Sequence, residues 1–126
     1  MGEHLAKKYG KDMVIVGFGA GEGTYTAVKP GEGLRGDNEL KESPAGSLEK
    51  AIREAGLGNV AIDLRASATE PSAKWLARPH LFRSIGALAM DNQFQPRNVP
   101  AEFDVLIYVD KTSASKCFGL TPAGRK

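Results

Sequence analysis

The 126-residue chain contains one cysteine, one tryptophan and two histidines. A lone Cys117 forms no internal disulfide and builds no multi-cysteine zinc cage, so it reads as a structural thiol. His4 and His80 stand apart from each other and from any cluster of carboxylates, and no metal or other cofactor is expected. No apolar run reaches the roughly 18 residues of a membrane-spanning helix. The first residues do not read as a charged-then-apolar leader, and Ala6 occupies the place where myristoylation after Met1-Gly2 asks for Ser or Thr. Excess charge is also lacking. Seventeen basic and 15 acidic residues give +2, with the basic ones scattered, so neither nucleic acid nor a membrane is an expected partner. The nucleophile elbow G-x-S-x-G and the phosphate loop G-x-x-x-x-G-K are both missing. These absences predict a soluble, cytoplasmic chain.

What is present suits one globular domain: 41% apolar and 25% charged residues, in a chain long enough to bury a core without staples. Glycine is in excess, at 15 residues, and seven of them fall between Gly17 and Gly36. The segment starting Gly17-Phe18-Gly19 fails the dinucleotide pattern because Glu22 takes the third small position, where its carboxylate repels a pyrophosphate. Gly31 to Gly36 matches G-x-G-x-x-G by letter, but Pro30 precedes it and no helical period follows. Both clusters read as turns and loops.

Apolar periodicity predicts a short helix over residues 2–9, with Gly10 ending it, and a strand over 13–18. A tight loop at Gly19, Gly21 and Gly23 then leads to a second strand over 24–28, stopped by Pro30. Residues 31–46 carry no apolar period and read as a long loop. A helix over 47–55 has Leu48, Ala51, Ile52 and Ala55 on one face and Glu49 with Arg53 as an i,i+4 pair on the other, with Ser47 as N-cap and Gly56 as C′. Strands are expected at 59–64, 81–88 and 103–109. Thr69 or Ser72 caps a helix running to Arg78, its Trp75 and Leu76 turned to the core. The order predicts an α/β fold with a mixed β-sheet and flanking helices, one domain over 1–118 and a short polar tail over 119–126.

Polar residues at strand ends are the remaining candidates for chemistry: Glu22, Asp63, Arg65, Arg83, Asp104 and Asp110. Ligands gather at such ends in α/β folds, and Glu22, Arg65 and Arg83 are the expected small-molecule contacts. Capping and Asp–Arg pairing within the fold are the competing explanation.

Several separate blocks are similar to one family. Met1-Gly2-Glu3-His4-Leu5, Tyr9-Gly10, Val14-Ile15-Val16-Gly17-Phe18 and Gly21-Glu22-Gly23-Thr24-Tyr25-Thr26-Ala27 resemble the erythromycin esterase family. So do Pro44-Ala45-Gly46-Ser47-Leu48-Glu49, Ile62-Asp63-Leu64-Arg65, Arg83-Ser84-Ile85-Gly86, Phe103-Asp104-Val105-Leu106-Ile107 and Thr112-Ser113-Ala114. The blocks are collinear and cover roughly residues 1 to 116. The resemblance implies ester or lactone hydrolysis, macrolides included, in which a histidine activates water without a redox cofactor. It also implies that the family's catalytic His and Glu precede the position of Met1, and that His4 and His80 match neither, so no catalytic residue transfers. The expectation is the C-terminal portion of such a hydrolase, inactive alone because its reacting groups are elsewhere, and associating with itself to cover a cut sheet. A non-catalytic small-molecule-binding or self-associating module is the alternative.

Overall fold

A computed structural model describes residues 2–65 and 71–116. The elements are α1 (Gly2–Tyr9), a 3-10 turn (Gly10–Asp12), β1 (Val16–Lys29), β2 (Gly33–Glu39), α2 (Leu48–Glu54), β3 (Val60–Asp63), α3 (Pro71–Leu76), β4 (His80–Arg83), β5 (Phe94–Arg97), α4 (Val99–Glu102) and β6 (Val105–Thr112). Four strands form a mixed sheet in the order β2-β1-β6-β3, and β4 with β5 makes a separate hairpin. The mixed α/β architecture expected from the sequence is the one observed. Cys117, the polar tail and Thr69 lie outside the described residues.

The central pair, β1 and β6, runs parallel from Val16↔Val105 to Gly23↔Thr112. Asp104 pins the start of this pair. Its Oδ2 accepts from the Ile15 N–H at 2.7 Å, while its own N–H donates to the Ile15 carbonyl at 2.8 Å. At the far end of β1, Lys29-Pro30-Gly31-Glu32 closes a type II turn with Pro30 second and Gly31, at φ 78°, third. That turn brings β2 back antiparallel along Thr24 to Lys29.

Three expectations about β1, β2 and α2 are corrected first. First, Gly19, Gly21 and Gly23 make no loop: β1 is one continuous strand of 14 residues. The glycines recur every second residue because they share a face, and side chains stack onto that face. A Cβ on Gly17 would meet the Phe103 ring at 2.8 Å, and one on Gly21 would lie 2.5 Å from the Asp110 carbonyl and closer still to the Tyr108 hydroxyl. Second, residues 33–39 form a strand rather than loop, held by backbone pairing where only Leu34 is apolar. Third, Glu49 and Arg53 do not pair with each other. Glu49 is 1% exposed under Gly19, while Arg53 reaches out to Glu22.

The core lies on the glycine face of the sheet. Leu48 and Ile52 of α2 pack with Leu64, Phe82, Val99, Leu106 and Tyr108. Ser47 caps α2 as expected, its Oγ accepting from the Lys50 N–H at 3.2 Å. Trp75, expected inside, is 45% exposed and stacks on His80 with ring centroids 3.9 Å apart, whereas Leu76 does pack against the core. The strand expected over 81–88 is shorter, ending at Arg83.

The packed glycine face has a direct test. Gly21→Ala is expected to cost about 1–3 kcal/mol in chemical denaturation, because the added methyl overpacks against backbone. Gly86→Ala, with open space around its Cβ position, should stay within about 0.5 kcal/mol.

Candidate functional site

Arg83 is the most heavily bonded side chain of the structure. It ends β4 at 4% exposure, against the middle of β1. Its Nε donates to the Ala20 carbonyl at 3.1 Å and its Nη2 to the carbonyls of Gly21 at 3.0 Å and Lys41 at 2.8 Å. Ser43 Oγ lies 3.3 Å from the same nitrogen, and Nη1 makes a short bond to Gln93 Oε1. The Phe94 ring covers the guanidinium with its centroid 4.5 Å away. Five donors in a planar fork suit this arrangement, which no lysine reproduces. Burial pulls the guanidinium below its ordinary value, and the Glu49 charge opposes that pull.

Gln93, also buried, completes the clasp. Its Oε1 accepts from the Lys41 N–H at 3.0 Å, and its Nε2 donates to the Glu39 carbonyl at 3.0 Å. Glu49 supplies the third buried polar group. Its Oε1 accepts the Arg83 backbone N–H at 2.8 Å, while Oε2 has no partner among the described residues. Desolvation therefore holds the Glu49 carboxyl above the usual carboxylate range.

Glu22, Arg65 and Arg83 do not converge. Glu22 bonds Arg53 at 2.6 Å and Lys111 at 3.2 Å, and the Arg53 hydrogen bond holds its carboxyl below its ordinary value. Arg65 forks onto Asp63 through Nε at 3.0 Å and Nη2 at 2.8 Å. Asp63 pairs with Val105, and Glu22 with Lys111, so these two ion groups sit six residues of β6 apart, about 20 Å. Asp110 and Tyr108 join the Glu22 end. Tyr108 donates to Asp110 Oδ1 at 3.3 Å, and burial with the Asp110 charge pushes its hydroxyl up to about 12. His4 is exposed on α1, and His80 Nε2 lies 2.6 Å from the Trp75 carbonyl. No group of three or more His, Cys, Asp or Glu able to hold a metal occurs among the described residues, and no described helix is long and apolar enough to cross a membrane.

One feature had no signal in the sequence. Residues 84–93 arch over the β1–β2 hairpin, tied midway where Val28 N–H donates to the Ala87 carbonyl at 2.7 Å and Ala89 N–H to the Val28 carbonyl at 2.9 Å. Beneath the arch is an open cleft of about 480 Å³, with Tyr25, Glu39, Lys41, Met90, Asp91 and Gln93 in its lining. Its walls come from the two arms of the β1–β2 hairpin and from residues 89–93 some fifty positions on, none with a motif of its own.

The erythromycin esterase family model matches residues 1–112. The chain belongs to the erythromycin esterase family. Two solved structures are similar over 90% of the chain. One is a Bacillus cereus protein at 24% identity and TM-score 0.75; the other is a succinoglycan biosynthesis protein at 18% identity and TM-score 0.73. At these identities the likeness establishes the fold. The chain spans 28% and 27% of the length of these two proteins. A search of curated proteins gives no match. Within this family fold, the conspicuous Arg83 and Glu49 lie inside the blocks that carried the resemblance, yet both are turned to intrachain partners.

Two substitutions test the clasp. Arg83→Lys is expected to lower stability by at least about 3 kcal/mol, since several buried carbonyls lose their donor. For Glu49 the sign follows from its raised folded-state value: the contribution is present below the unfolded value and is lost as pH rises through the folded one. Denaturation midpoints of the parent chain should therefore fall as pH rises above the ordinary carboxylate range, and Glu49→Gln should flatten that fall.

Proposed function

We propose that these residues are the C-terminal framework of an erythromycin-esterase-type hydrolase and supply no reacting group by themselves. The observation that carries this reading is the placement of the two histidines. A general base must stand within about 2.6–3.2 Å of the water it activates. His80 instead directs Nε2 at the Trp75 carbonyl and lays its ring on Trp75, and His4 is exposed on a helix that buries no residue. Arg83 and Gln93 spend their bonding on the chain's own carbonyls and on each other, and Glu49 Oε1 takes the Arg83 N–H, which suits a wall segment.

In this reading a family-type active site needs groups from beyond these residues, and the present strands brace it. The purified 126-residue chain should show no turnover of a macrolide lactone above buffer. Turnover that disappears on His4→Ala or His80→Ala would overturn the proposal.

A second reading, small-molecule binding, is favoured by the cleft under the arch. Glu39, Lys41 and Asp91 line it without an ion-pair partner among the described residues, and Gln93 gives it a rigid floor. A polar, hydroxyl-rich ligand matches that lining better than an apolar one. Binding to the native state alone must raise the melting temperature, so a thermal-shift series with simple sugars and amino sugars separates this reading from the first.

A further inference from the structure

The cleft under residues 84–93 has a charge balance that narrows what it can hold. Its charged lining residues are Lys29, Asp37, Glu39, Lys41 and Asp91. Two of these are already neutralised, Lys29 by Glu32 at 2.8 Å and Asp37 by Arg35 at 2.8 Å. The side chains of Glu39, Lys41 and Asp91 have no ion pair or hydrogen bond among the described residues. Two free carboxylates thus stand against one free ammonium, and Arg83 does not line the cleft. The frame that carries them is fixed before any ligand arrives. Gln93 Oε1 takes the Lys41 N–H at 3.0 Å. Its Nε2 donates to the carbonyls of Glu39 at 3.0 Å and of Met90, beside Asp91, at 3.4 Å. Asn38 adds a rigid acceptor. Its Nδ2 donates to the carbonyls of Arg35 at 2.8 Å, Tyr25 at 3.3 Å and Ala27 at 3.4 Å, which leaves Oδ1 open.

We propose that this cleft binds a small hydroxylated ammonium ion, of the amino-sugar class, in preference to a neutral or anionic sugar. The proposal rests on the small-molecule reading above and names the charge that its ligand carries. An anion would meet two carboxylates for one ammonium, and a neutral sugar would leave the excess negative charge unanswered. An ammonium answers Glu39 and Asp91, while neighbouring hydroxyls suit Lys41 as donor and Asn38 Oδ1 as acceptor. The half-buried Tyr25 adds a π face, which attracts a cation. The volume, about 480 Å³, lies within the usual range of ligand pockets.

Exposure sets the strength. Glu39, Lys41 and Asp91 are all exposed, so each charge contact is screened by water and salt. Each carboxylate is therefore worth about 2–5-fold in affinity for a cation. Selectivity between matched ligands, more than affinity itself, carries the information.

Amide chemical-shift titration of the 126-residue chain with glucosamine, glucose, N-acetylglucosamine and glucose 6-phosphate reads this directly. At a pH of about 6.5 the amine is protonated and ordinary carboxylates are ionised. Glucosamine should bind at least about 3-fold more tightly than glucose or N-acetylglucosamine, with glucose 6-phosphate weakest and the shifts confined to the cleft. Glu39→Gln and Asp91→Asn should each shrink the glucosamine-to-glucose ratio, and Lys41→Met should widen it. Raising salt to about 0.5 M should bring the parent chain's ratio towards one, a test that depends on no variant. Equal binding of glucosamine and glucose, or tighter binding of glucose 6-phosphate, overturns the proposal and leaves the small-molecule reading standing. A cleft that takes none of the four ligands ends both.

Discussion

The guanidinium of Arg83 is buried in a ring of neutral oxygens, with no carboxylate bonded to it, and the rest of the structure is arranged around that constraint. A cation taken out of water is costly unless its donors are met, and here the acceptors come from β1, from residues 41–43 and from Gln93. Those segments are far apart in the chain. Holding one guanidinium in place fixes the distance from the β4–β5 hairpin to the main sheet and the path of the segment that follows β2. Glu49 adds the α2 helix to the same point through the Arg83 backbone N–H.

The glycines of β1 belong to the same account. With no side chains on the inner face of β1 from Gly17 to Gly23, the Phe103 and Tyr108 rings lie directly on its backbone, and Glu49 has room to reach beneath Gly19. Close approach on one face leaves the bulk of β1, in Val16 and Phe18, on the other. One face is thus a packed core tied by a polar clasp, and the other carries exposed apolar side chains at Val16 and Phe18. A framework with these two sides fits a family in which the present residues make up little more than a quarter of the solved relatives' length.

Much of this was legible in the sequence, and the misses have physical causes. The α2 helix was clear because Ser47, the 3.6-residue period and Gly56 agree, and β6 because its apolar run is long. The alternating glycines read as a loop because a strand signal is ordinarily carried by side chains, whereas here the absence of side chains is the packing device. β2 went unseen because Gly-Leu-Arg-Gly-Asp-Asn-Glu pairs through backbone at a sheet edge and buries almost nothing. Glu49 looked solvent-facing because Arg53 stands four residues on, but Gly19 on another element opens the space that takes it in. Arg83 was found as a residue of interest by its strand-end position. Its role was not, since the carbonyls it binds have no sequence signature.

Arg83, Gln93 and Glu49 lock the segments around them as firmly as the sheet itself. Native-state amide hydrogen exchange measures this most directly, at the N–H of Arg83, which donates to Glu49, and of Lys41, which donates to Gln93. Both should exchange only through global unfolding, with the same free energy of opening as Leu106 at the centre of the sheet. Exchange at Arg83 and Lys41 through local opening, well below the global value, would contradict it.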